Sequence, residues 1–209
     1  MTKFRNIRGL LAGLAGVALL LGGVAVASNM GFKFVPVVPD TAGANAFNLS
    51  LPWNNNYTNA GSLLSDTNAA RVSRFNANST LTSWTGTVGT NFNLVKGHGY
   101  VLFAAAGGGA LNPVIVGSHD PNFTLTFTKD EAFNASAPYH QTFNNAGELL
   151  TDLRTALGSS SIARVSRFNA NSTLTSWTGT VGTNFNLVLG ASVIIFADAN
   201  TGAYSWPHY

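Results

Sequence analysis

The chain has 209 residues, no cysteine, and a formal charge of +3 from 11 basic and 8 acidic side chains. Without cysteine there is no disulfide framework, no thiolate metal site and no lipid-bearing Cys after a leader. Lys3, Arg5 and Arg8 supply the whole positive excess. Beyond them basic and acidic groups cancel, which leaves no electrostatic footprint for nucleic acid or an acidic membrane surface.

The first 27 residues read as an export signal. The three basic residues are followed by an apolar run from Gly9 to Val24, and Ala25-Val26-Ala27 is a small-residue site that predicts cleavage before Ser28. The run is close to the ~20 residues a spanning helix needs, so an uncleaved anchor is the alternative. Cleavage would leave no stable membrane insertion. The rest is long enough for a sizeable core, and its polar groups are mostly Asn, Thr, Ser and Gly. That composition suits a secreted or cell-surface protein.

In chain order, GFKFVPVV (31–38) reads as a strand. Leu49 and Leu51 then alternate with polar neighbours, and one or two helical turns are expected over Asn59–Asp66. Residues 70–86 read as a hairpin with its turn near Ala77-Asn78. That register puts Arg71 opposite Trp84 and Phe75 opposite Thr80. A guanidinium over the indole would contribute ~0.5–1 kcal/mol, and Arg164 with Trp177 would repeat it. Phe92/Leu94 and Phe123/Leu125/Phe127 alternate, and Gly86, Gly89, Gly97 and Gly99 mark turns. A longer helix is expected over Asn145–Ala156, with Leu149, Leu150 and Leu153 on one face.

A duplication organises these elements. Residues 70–95 recur letter for letter at 163–188, displaced by 93. Residues 46–64 align with 132–150, displaced by 86, which implies a seven-residue insertion near Leu153–Ser161. The expected fold is all-β: two tandem sandwich-like β modules with short helical connections. The boundaries are 1–27 for the signal, 28–121 for the first module and 122–209 for the second. The ends are unequal, since FTLTF (123–127) precedes the second module as GFKFVPVV precedes the first. Phe32, Phe34 and Val35 therefore mark a strand-exchange segment, closing onto the second module or onto a neighbouring chain.

Chemistry is sparse. His98, His119, His140 and His208 have no metal-ligand spacing, and neighbours in Ser118-His119-Asp120 point to opposite faces of an extended segment. Asp198-Ala199-Asn200-Thr201-Gly202 lacks the later ligands of a calcium loop. No catalytic residue, metal or cofactor is predicted. Trp53, Asn55 and Tyr57, with Tyr139 at the matching place in the second copy, form a candidate glycan-binding set, because aromatic faces and amides together recognise sugar rings. The alternative is a Trp buried at a sandwich edge beside a polar loop.

SLPWNNNYTNAGSLL, VSRFN, TGTVGTNFNLVKGHGY, VGSHDP and APYHQTFNNAGELL, in this order, resemble an uncharacterised group of exported bacterial proteins with tandem β modules. The resemblance covers most of the chain after the signal and implies export and a repeated β module. The group's turn before its Tyr strand is P-G-E-G-Y; here it is Lys96-Gly97-His98-Gly99-Tyr100, and Leu189-Gly190-Ala191-Ser192-Val193 in the second copy. The departure argues against a ligand role for that turn. The leading expectation is a non-enzymatic structural, adhesive or self-associating protein, whose partner is a second copy or a cell-surface polymer. A carbohydrate-binding module and a secreted hydrolase are the alternatives.

Overall fold

The structure is a computed structural model, all-β, with antiparallel sheets and, among the described residues, two short helices. It describes the backbone of Met30–Phe34 and residues 46–105, 114–118, 120, 122–137, 141–169, 171 and 173–207. The described residues from Phe32 onward form one compact unit.

Each copy builds a four-stranded sheet of the same order. The first has β2 (Ala46–Ser50) beside β5 (Gly99–Phe103), then β3 (Arg71–Phe75) and β4 (Leu81–Trp84). The second has β8 (Ala132–Ala135), β11 (Val193–Ala197), β9 (Ile162–Phe168) and β10 (Leu174–Trp177). Helix α1 (Ala60–Thr67) packs on β3, and α2 (Ala146–Leu157) packs on β9. The asparagines expected to open these helices cap them. The Asn59 Oδ1 accepts from the Ser62 N–H at 2.9 Å, and the Asn145 Oδ1 from the Glu148 N–H at 3.0 Å.

The central strands are apolar on both faces, and the burial explains why. In β5, Tyr100 and Leu102 point to the core beneath α1, while Val101 and Phe103 point to the other sheet. In β11, Val193, Ile195 and Ala197 join the core beneath α2, and Ile194 faces the first sheet. Phe75, Phe103 and Phe168 meet at ring distances of 6.0–6.2 Å between the sheets. Each sheet thus has its own helix on one face and the other sheet on the opposite face.

The junction is closed by a reciprocal exchange. The Asn134 amide donates to the Phe75 carbonyl at 2.7 Å and accepts from its N–H at 3.1 Å. Asn48 makes the same pair with Phe168, at 2.7 and 3.0 Å. The strand edges are treated alike. Ser192 N–H donates to Asn48 O and Ser50 N–H to Gly190 O, while Ser136 N–H donates to Gly97 O. The Gly97 and Gly190 turns thus bind the opposite module. Gly99 and Ser192, which occupy equivalent places in the two copies, touch so closely that a Cβ on Gly99 would lie 2.1 Å from that of Ser192.

Two sequence expectations are corrected. In the β3–β4 hairpin Val72, not Arg71, lies opposite Trp84, and Phe75 lies opposite Leu81. The loop is longer than a turn at Ala77-Asn78 would be: Asn76 N–H donates to Thr80 O, and Ser79 takes a φ of 63°. A one-residue shift sends every side chain to the other face. Arg71 therefore stacks on Phe103, 3.7 Å from its centroid, and Arg164 on Phe196 at 3.8 Å. The alternating Phe92 and Leu94 stand outside any strand; their segment is held by Ala60 N–H to Phe92 O and Leu94 N–H to Thr58 O.

Two ribbons complete the unit. β1 (Met30–Phe34) pairs with β6 (Val114–Ser118), and β7 (Thr124–Leu125) pairs with β12 (Tyr204–Ser205). The strand carrying Phe32 and Phe34 thus meets the tail of the first module, rather than the second module; Val35 lies outside the described residues. Thr124 and Leu125 of the FTLTF segment pair within the second module, with Ser205 and Tyr204.

Candidate functional site

A groove of about 440 Å³ opens on the first module between the loop after β2 and the segment before β5. Leu51, Trp53, Asn55 and Tyr57 line one side, and Asn93 and Lys96 the other. Three of the four residues singled out in the sequence therefore come together. The fourth, Tyr139, lies outside the described residues.

Their roles differ. Trp53 is half-buried and packs edge-on against Phe123, with ring centroids 4.7 Å apart. The Lys96 ammonium lies 5.8 Å from the Trp53 ring, a loose cation–π contact, and reaches the Asn54 Oδ1 at 3.5 Å. Asn55 is spent on its own loop. Its Nδ2 donates to Pro52 O at 2.7 Å and its Oδ1 accepts from Tyr57 N–H at 2.9 Å, an Asx-type turn. The Tyr57 hydroxyl donates to the Asp66 carboxylate, so its ring is anchored at the tip. Behind the groove the Tyr100 hydroxyl accepts from Val95 N–H at 2.7 Å, and burial pushes that phenol up to about 12. It stays neutral at physiological pH and fixes the wall carrying Val95.

The arrangement offers a half-buried indole, an exposed amide at Asn93 and a cation at Lys96. It can stack on a flat apolar face and hydrogen-bond ring hydroxyls. Asn93 and Lys96 were not among the sequence candidates. They stand about 40 residues away, Asn93 bridged to Asn59 and Lys96 in the turn before β5, and only closure of the module brings them to Trp53.

The other chemical suggestions resolve into structure. Ser118 Oγ accepts from the Asn54 amide at 3.0 Å, and Asp120 Oδ1 accepts from Asn122 N–H at 2.9 Å; His119 lies outside the described residues. Asn200 and Thr201 oxygens accept the backbone N–H groups of Lys129 and Phe127. Among the described residues no group of three or more His, Asp or Glu could hold a metal ion.

A wider, open cleft of about 730 Å³ beside α2 holds Glu148, Asp152 and Trp177. Glu148 accepts from Asn144 N–H at 2.7 Å and from the Asn145 amide at 2.9 Å. Asp152 accepts from the Tyr204 hydroxyl at 2.7 Å, and burial with this carboxylate beside it pushes the phenol far up. The two acids stand one turn apart on one helix, so they approach from one side, whereas glycoside hydrolysis needs carboxyls flanking the bond.

No family model, curated protein or solved structure matches the chain.

Proposed function

We propose that the chain is an exported, non-enzymatic β-repeat protein of the cell surface or extracellular space, with a structural or adhesive role. The observation that carries this reading is the way the modules are joined. Edges of β2 and β8 that could recruit foreign strands are closed by the opposite module. Beyond the first 27 residues the charges cancel and the polar groups are mostly Asn, Thr, Ser and Gly, and an aromatic groove opens on the first module. Such a body suits stationary display and contact with a surface polymer. The basic-then-apolar start with its Ala25-Val26-Ala27 site supports export. The test uses the chain from Ser28 onward, in light scattering, electron microscopy and adsorption to cells and envelope polymers. A strict monomer that adsorbs to neither counts against the proposal. For strand exchange with a neighbouring chain through Phe32, Phe34 and Val35, deletion of residues 28–38 must change the assembly state.

A second reading, a carbohydrate-binding module, is favoured by the meeting of Trp53 and Tyr57 with Asn93 and Lys96. Tyr139 belongs to it as the counterpart of Trp53. A glycan array with Trp53→Ala as control tests it: binding lost in the variant supports the groove, and no binding by either protein removes the reading.

A further inference from the structure

The two copies differ at a pair of positions in a way that opens a cavity in the second. The turns before β5 and β11 share one backbone. His98 N–H donates to Val95 O and Ala191 N–H to Val188 O, at 3.1 and 2.8 Å. Gly97 and Gly190 both take positive φ, 79° and 70°. In the first copy the His98 ring lies 4.4 Å from the Phe133 ring, and Tyr100 stacks on Phe92. In the second copy the same places hold Ala191 and Val193, while Phe47 and Phe185 stand for Phe133 and Phe92. Arg167 likewise stands for Arg74, and each lies over its phenylalanine, at 5.1 and 5.2 Å.

The residue of this difference is a half-open cavity of about 150 Å³, walled mainly by Phe47, Phe185, Leu187 and Val193, with Asn48 and Arg167 also in its lining. Its walls are held in place. Ser192 N–H donates to Asn48 O at 2.8 Å, and the Asn48 amide is clamped to Phe168. A site fixed in this way does not collapse to fill the missing volume, and a cavity of this size accepts a benzene-sized ring.

We propose that this cavity binds a small planar ring of imidazole or phenol size in its uncharged form. The first copy supplies the template, since an imidazole already occupies the equivalent space against an equivalent phenylalanine. The Arg167 guanidinium disfavours a cation there. The site is separate from the Trp53 groove and does not depend on that reading.

Amide NMR titration of the full chain at pH 8 with imidazole and with phenol, and with cyclohexanol as a thicker saturated control, tests the proposal. Saturable shifts centred on Phe185, Ala191 and Val193 are expected, with cyclohexanol binding more weakly. Ala191→His restores the side chain of the first copy and should weaken binding at least about tenfold, a difference of ~1.4 kcal/mol. Should that variant not fold, Val193→Phe fills the same space and must give the same loss. No saturable shift with either ring overturns the proposal. So does cyclohexanol binding as tightly as phenol, unchanged affinity in a folded filled variant, or loss of binding in Trp53→Ala.

Discussion

Replacing Asn134 by Ala removes the side chain that ties the end of β3 to the second module. The amide is buried and serves both backbone groups of Phe75, one at 2.7 Å and one at 3.1 Å. Without it a buried N–H and a buried carbonyl lose their partner, at about 1–3 kcal/mol each. Water entering the small void recovers part of this, so a loss of about 2–4 kcal/mol is expected. For a chain of this size that is roughly 5–15 °C in Tm. Asn48 makes the same contact with Phe168 but is only half-buried, so Asn48→Ala should cost about 1–2 kcal/mol. Guanidinium titration monitored by tryptophan fluorescence, checked by calorimetry, gives both values. A loss below about 1 kcal/mol at Asn134, or an equal loss at the two sites, would falsify the argument that burial of the exchanged amide sets its worth.

Three further outcomes follow from the same junction and its surroundings. His98 sits against Phe133, and burial first, then the Arg74 charge, holds its imidazole below the ordinary 6.5. The unfolded chain therefore takes up the proton first: this contribution is complete above about pH 6.5 and is lost as pH falls through the lower folded value. Urea midpoints between pH 8 and 5 should fall with acid, and His98→Phe should flatten that part of the curve. Gly99→Ala should cost about 1–3 kcal/mol by collision with Ser192, and adding Ser192→Gly should recover most of it; a double variant as unstable as the single one refutes the contact. Arg154 donates to the carbonyls of Ile162, Ala163 and Thr178 at 2.9–3.0 Å. Arg154→Met should cost about 2–3 kcal/mol and speed amide exchange in the β9–β10 hairpin, whereas unchanged exchange there would contradict this role.

Much of the architecture was legible because it rests on local chemistry and on copying. Asn59 and Asn145 announce helices that begin at Ala60 and Ala146. The identical block at 70–95 and 163–188 becomes two hairpins with the same register and the same Asn-Thr hydrogen bonds in their loops. The hairpin register differs by one residue from the expected one, because the extra loop length depends on Ser79 adopting a left-handed φ, which nothing in Asn-Ala-Asn-Ser announces. At the groove, Trp53 and Tyr57 could be named from their aromatic and amide neighbours. Nothing in the sequence said that Asn55 would be consumed by Pro52 and Tyr57, since an amide's free valences depend on the backbone around it.

The sequence by itself determined the all-β class, the two copies and the helix starts, because alternation, capping and repetition are carried by neighbouring residues. Tertiary structure alone decided how the copies use their equal and unequal positions. Asn48 and Asn134 are polar residues within apolar strands until each finds the backbone of the other module. Gly99 and Ser192 are turn residues until they touch, and His98 and Ala191 are a difference between two turns until one fills a space that the other leaves open. These outcomes depend on pairs far apart in the chain, from His98 with Phe133 to Asn48 with Phe168, and pairing over such distances is set by packing, which no local pattern encodes.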